Sequence, residues 1–279
     1  MVKETTADIH IPMEELLRRL KTLNGFIRLL AHQLEVFEKT ATKSFEGQEI
    51  DSSKVFAGFA LLIPDLLTPD DQHFLNHVHG GSYVKEGDEY FKAGEELVKN
   101  WSSWTIAQSY EAFETFLRDT AAYFFHAQRP QKSIGSLQQI PIDADNIDAW
   151  RSYFRERKWD PSNILKLFRH IEPEIEKTEK HNILQLDIQQ WFLIYTSIRH
   201  AITHSNSRLL RQDIKALSVS VEKILPAFFP GTWEEDTYYI NCSQENAIKV
   251  IKLIGAYAFL IYKKLCQKRG IPLAIDIVK

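Results

Sequence analysis

A chain of 279 residues, 44% hydrophobic and 12% aromatic, is long enough to bury about three quarters of its unfolded surface, which excludes bulk disorder. Its net charge of −3 excludes an overall electropositive nucleic-acid binder, although a nuclease needs positive charge only where the phosphate passes. Cys242 and Cys266 have neither CxxC spacing nor a disulfide framework, which argues against redox chemistry and structural zinc and fits a cytoplasmic protein.

The start, MVKETTADIH, lacks a basic segment followed by an apolar one, and the most apolar stretch, Leu253 to Tyr262, is ten residues long. Neither a signal peptide nor a membrane span is expected. From Pro12, apolar residues recur at Leu16, Leu20, Leu23, Ile27, Leu30, Leu34 and Phe37, four and three apart, which predicts a long amphipathic helix with a coiled-coil-like seam. That seam must bury against the same chain or a second protomer.

A second apolar segment, Val55 to Leu67, reads as a helix kinked or ended by Pro64, and Pro69-Asp70-Asp71 opens a short helix stopped by Gly80-Gly81. Further helices are predicted over 83–100 and, more strongly, over Trp101 to Gln128, where Trp104, Ala107, Phe113, Phe116, Leu117, Ala121 and Phe124 lie largely on one side. Pro130 to Pro141 reads as a surface loop. Helices resume over 145–158, over 162–177 behind Pro161, and over 183–204, which ends at Ser205-Asn206-Ser207, residues whose short polar side chains bond the backbone locally. Another spans 209–225, Tyr238-Tyr239-Ile240 reads as a short strand, and Ser243 begins a final helix to Arg269 with Gly270 as its stop.

The pattern predicts an all-α helical bundle, with residues 1–100 as an N-terminal helical extension of a domain over 101–279, one body together. The segment Arg199-His200-Ala201-Ile202-Thr203-His204 ends an apolar helix. Arg199 and His204 are separated by about 140° on a helical wheel, so His204 is expected to swing toward Arg199 from a fraying last turn, with His200 and Thr203 orienting either group. RNA cleavage without a metal needs a base for the 2′-hydroxyl, an acid for the leaving 5′-oxygen and a cation for the phosphoryl oxygens. Imidazole exchanges protons near neutral pH and guanidinium offers phosphate a charged planar fork.

These residues resemble the HEPN superfamily of all-α proteins, many of them ribonucleases with an Arg-x4-6-His motif. Arg199 and His204 match that motif, and His200 stands where the family commonly has a polar residue. The helix containing Tyr110-Glu111-Ala112-Phe113-Glu114-Thr115-Phe116-Leu117-Arg118-Asp119 is similar to an acidic-aromatic helix of such proteins. The resemblance implies a homodimer with both motifs in one cleft, metal-independent RNA cleavage, and a role in toxin-antitoxin or antiviral systems with an antitoxin protein as partner. It covers 101–269 loosely, and the first hundred residues depart from the smallest family members. By the same resemblance an acidic neighbour of the site is expected among Glu111, Glu114 and Asp119, Glu114 first among them.

Arg208 and Arg211, just beyond the motif, are candidate phosphate contacts. His200 and His204 have i,i+4 zinc spacing, yet Ala201 stands where a zinc-protease helix has glutamate, so no metal or cofactor is expected. His73, His77 and His79 behind Asp70-Asp71 read first as a solvated turn, and the aromatic residues from Trp101 to Phe124 as core. Two other readings stand beside the endoribonuclease: a noncatalytic RNA-, nucleotide- or protein-binding module of the same fold, and a structural protein that dimerises through the 16–37 seam.

Overall fold

The apolar spacing that begins at Pro12 makes helix α1, His10–Phe45. The computed structural model describes residues 9–45, 55–56, 61–64, 74–77, 84–85, 87–128, 146–156, 158–215 and 221–273. They belong to two units, residues 1–28 with 99–279, and residues 29–98. Leu16, Leu20 and Ile27 are buried within the chain, together with Ile9 and Met13. The first half of the seam is therefore already occupied and is not open to a second protomer. Leu20 packs toward α9, Gln244–Arg269, where its Cδ1 lies 3.6 Å from the Cβ position of Gly255. His10 Nδ1 also meets the Tyr262 hydroxyl at 2.5 Å.

That burial moves the domain boundary. Residues 1–28 belong with the helical body rather than with a separate extension over 1–100, and 29–98 form the other unit. Within the latter, β1 (Val55–Phe56) pairs antiparallel with β4 (Val84–Lys85), and β2 (Leu61–Pro64) with β3 (Phe74–His77). The predicted helix over 55–67 is thus a strand at 61–64. Pro64, which a helix interior does not tolerate, sits at the end of that strand. His77 is on β3, within the segment predicted as a short helix after Pro69. His73, His79 and the Pro130–Pro141 segment lie outside the described residues.

The two helices predicted over 83–128 are one, α2, Gly87–Gln128. No proline interrupts them, and Trp101 simply continues the turn. The described residues are mostly helical. Asn146 caps α3 (Ile147–Arg155), and Asp160 caps α4 (Pro161–Ile171), with Pro161 in its first turn. The predicted 162–177 helix breaks before Pro173, which leaves α5 (Glu174–Lys180) separate. Asp187 caps α6, Ile188–His204.

The 209–225 helix is also replaced, by strand β5 (Arg208–Leu210), the short α7 (Arg211–Lys215) and α8 (Val221–Phe228). Strands β6 (Gly231–Glu234) and β7 (Thr237–Ile240) complete an antiparallel sheet in the order β5-β7-β6, with the predicted Tyr238 to Ile240 strand at its centre. Local helix preference at Leu209 and Leu210 loses here to backbone pairing with β7. Gly231 lets β6 pair with the other side of β7, since a Cβ there would fall 2.1 Å from the Tyr239 carbonyl oxygen. The last helix, α9, begins as predicted with a Ser243–Asn246 capping box and stops at Gly270, whose φ is +64°.

The core is aromatic where α2, α6 and α9 meet. The Phe113 ring lies 5.3 Å from Tyr257 and 5.4 Å from Phe192, centroid to centroid. Phe116, Tyr123 and Phe124 are buried as predicted, but Trp104 is 42% exposed and does not belong to the core. Beside this core, the fully buried Glu179 carboxylate accepts from Arg169 Nε at 2.7 Å, from Gln189 Nε2 at 2.7 Å and from the Tyr257 hydroxyl. Burial pushes the Tyr257 hydroxyl well above its usual pKa, which keeps it a donor.

Replacing Glu179 by Ala leaves the partly buried Arg169 guanidinium without its anion, at an expected cost of about 3 kcal/mol in a urea titration. Joint replacement of Glu179 and Arg169 by Leu recovers much of that loss. A single-variant cost below about 1 kcal/mol would show that the pair is dispensable.

Candidate active site

The Arg199–His204 segment is positioned by α6. Tyr195, one turn before Arg199, is fully buried and donates to the Ile106 carbonyl at 2.6 Å, next to Ser109, which fixes α6 against α2. The helix ends at His204, and Ser205 is its C-cap. Beyond it, Asn206 and Ser207 both take positive φ, +49° and +60°, a conformation that Asn tolerates better than Ser. Backbone bonds hold this turn, beginning with Ser205 donating to the Ala201 carbonyl at 3.0 Å. Ser207 donates to the Ala201 carbonyl at 2.9 Å, Arg208 to Ser205 at 3.0 Å, and Ile240 of β7 to Ser207 at 2.9 Å. The helix is regular through His204, and β7 holds the turn that follows it.

Arg199 turns toward α2. Its Nε donates to Glu111 Oε1 at 2.8 Å and a terminal nitrogen donates to the same oxygen, while the guanidinium carbon stands 5.6 Å from the centre of the Tyr110 ring. The ion pair is partly open, with side-chain exposures of 27% for Arg199 and 38% for Glu111. A guanidinium carries five N–H donors, so those not facing Glu111 remain for a ligand. Burial raises the pKa of Tyr110, whose hydroxyl is 3.4 Å from Thr196 Oγ1.

His200 and His204 occupy another side of α6. Both are exposed, and their ring centroids are 4.9 Å apart. They continue a stripe through Leu193, 40% exposed, and the half-buried Ser197, at the four-three-four spacing of one helical face. Among the described residues no hydrogen bond joins Arg199 to His204. Thr203 donates to the Arg199 carbonyl at 2.9 Å and lies 3.3 Å from that of His200. Its proton is committed to the helix backbone rather than to the Arg199 guanidinium or the His204 ring.

The acidic neighbour of Arg199 is Glu111. Glu114, the residue chosen from sequence, pairs with Arg118 at 2.6 Å, and Asp119 faces Arg151 of α3 at 3.7 Å. Arg208 is exposed, with its guanidinium 5.5 Å from the Tyr239 ring centre, and remains available to an anion. Arg211 is engaged by the β6–β7 hairpin: its Nε is 3.1 Å from Asp236, it donates to the Glu235 carbonyl at 3.3 Å, and it covers Trp233 at 4.4 Å. The described residues hold no group of three or more potential metal ligands, and no helix among them is long and apolar enough to cross a membrane.

Tyr110 and Glu111 were visible in the sequence as part of an acidic-aromatic helix, but their pairing with Arg199 was not. It spans 88 positions and depends on the rotation of α2 against α6. No protein-family model, curated protein or solved structure matches this chain.

Glu114 gives the site a pH signature. Burial raises its carboxyl pKa above the ordinary 4.5, outweighing the opposing effect of Arg118. The native state therefore holds this proton more tightly than the unfolded chain, and the charged form carries a penalty at neutral pH that acidification removes. The stability of the wild type relative to Glu114→Gln is expected to rise as pH falls from 7 toward 4.5. Denaturant titrations across that range check this, and a constant difference counts against it.

Proposed function

We propose that the chain is a metal-independent endoribonuclease of the HEPN kind, with His204 as the proton-transfer residue and Arg199 as the cation for the phosphoryl group. The observation that carries this reading is the clamped end of α6, where an exposed imidazole pair stands one turn from an arginine that Glu111 orients but leaves partly open. In the proposed reaction, neutral imidazole takes the 2′-hydroxyl proton as that oxygen attacks phosphorus. The P–O5′ bond breaks, a protonated imidazole supplies the leaving oxygen's proton, and a cyclic phosphate remains. Arg199 meets the charge growing on the non-bridging oxygens, and His200 is the second polar group beside His204.

A second copy is part of this proposal. Within one chain Arg199 faces α2 while His204 faces solvent, so a cleft between two α6 ends supplies the complementary set of groups. The stripe of Leu193, His200 and His204, with the half-buried Ser197 between them, offers such a cleft a wall. Activity per chain is then expected to fall on dilution below the dimer dissociation constant.

A second reading, a binding module without turnover, draws support from the Arg199–Glu111 pair, because an arginine already neutralised and turned from His204 is also what a merely structural ion pair looks like. Labelled RNA incubated in EDTA with wild type, His204→Ala and Arg199→Ala separates the two. The ribonuclease reading expects His204→Ala to cleave about 100-fold or more slowly, from the usual contribution of acid-base catalysis. Equal cleavage by all three proteins excludes the assignment, and affinity without cleavage supports the binding module.

A further inference from the structure

Buried aromatic residues dominate α2 from Tyr110 to Phe125, yet its Trp101–Trp104 turn is different. Trp104 is 42% exposed and Phe26 of α1 is 39% exposed. Phe26, Trp101 and Trp104 meet edge to face, with centroid separations of 5.2 Å (Phe26–Trp101), 6.2 Å (Phe26–Trp104) and 5.2 Å (Trp101–Trp104). The α1 surface beside them is open, since a Cβ on Gly25 would meet nothing within 4 Å. Further along the same two helices is a cavity of about 300 Å³ whose walls include Arg18, Arg19, Thr22, Gln108 and Glu111. Arg18 and Arg19 both face Glu15, with side-chain exposures of 75% and 48%. Such exposed ion pairs are weak enough for a phosphate to displace the carboxylate.

We propose that the groove between α1 and α2 binds single-stranded RNA, with bases stacked on Phe26, Trp101 and Trp104 and phosphates on Arg18 and Arg19, along a track leading to Arg199. Identification of the strand as RNA rests on the ribonuclease reading above. Exposed aromatic faces followed by exposed cations are the combination that holds single strands without sequence preference. The register is suitable. Trp104 and Glu111, which holds Arg199, are seven residues apart, about 10 Å along α2, the rise of roughly three stacked nucleotides. A duplex keeps its bases paired inside and has no exposed faces to offer the aromatic cluster.

The test uses the full chain and a fluorescein-labelled 12-nucleotide oligouridylate with 2′-O-methyl groups, which lacks the attacking hydroxyl, beside a duplex of equal length. By anisotropy, wild type binds the single strand more tightly than the duplex. Trp104→Ala binds at least about fivefold more weakly, from the loss of a stacked base. Replacing Arg18 and Arg19 together by Ala flattens the slope of log K against log salt by about 1.4. These arginines are exposed, so the double variant remains decisive if thermal melting shows Trp104→Ala to be unfolded.

Wild-type affinity and salt slope in both groove variants overturn the proposal, as does preference for the duplex. A Trp104→Ala protein that dissociates into monomers yet binds the strand normally assigns the aromatic face to a second copy and overturns it equally. Groove-dependent binding with unmodified RNA left intact sinks the ribonuclease while leaving the groove. Cleavage that depends on His204 but ignores both groove variants has the opposite consequence.

Discussion

A single buried carboxylate organises the helical body. Glu179 is carried on α5, a helix too short to hold itself in place, and it accepts hydrogen bonds from α4, α6 and α9 at once. A carboxylate with no exposure tolerates neither a missing donor nor a shift of any of those helices. The Tyr257 hydroxyl that completes the set belongs to the same ring that packs on Phe113, so the polar centre and the aromatic core fix each other. This sets the rotation of α6 and α9 against α2, on which the remaining geometry depends.

From that rotation follows the arrangement around Arg199. With Phe192 in the core and the Tyr195 hydroxyl on the Ile106 carbonyl, the residue one turn later faces Glu111. His200 and His204 emerge on the open side. The sheet then adds a second constraint at the other end of the motif, because Ile240 of β7 donates to Ser207 and stops the last turn from unwinding. A helix end that would ordinarily fray thus presents its imidazoles from a fixed backbone. Arg211 contributes to this indirectly by closing the hairpin beside β5.

Elements with strong local signals were legible from sequence. Ser243 and Gly270 bracket α9 because a side-chain cap and a left-handed stop are local devices. Ser205-Asn206-Ser207 ended α6 for a similar reason, and Pro161 marked the start of α4. The predictions failed where distant pairing outweighed local preference. Residues 208–210 became a strand because β7 lies beside them, and 61–64 because 74–77 pairs with it. Trp104 looked like core because its spacing matches that of Phe113 and Phe116, yet a wheel position says nothing of whether another element covers it.

The amino-acid sequence by itself determined that this is a mostly helical chain with a real core, and that an arginine and two histidines stand at the polar end of an apolar helix. Periodicity, caps and breakers act within a few residues, so they can be read without a partner. Only the tertiary structure decided that Glu111 rather than Glu114 orients Arg199, that Arg211 serves the hairpin, and that residues 1–28 join the helical body. Each of those outcomes depends on groups far apart along the chain, brought into register by the packing of whole helices.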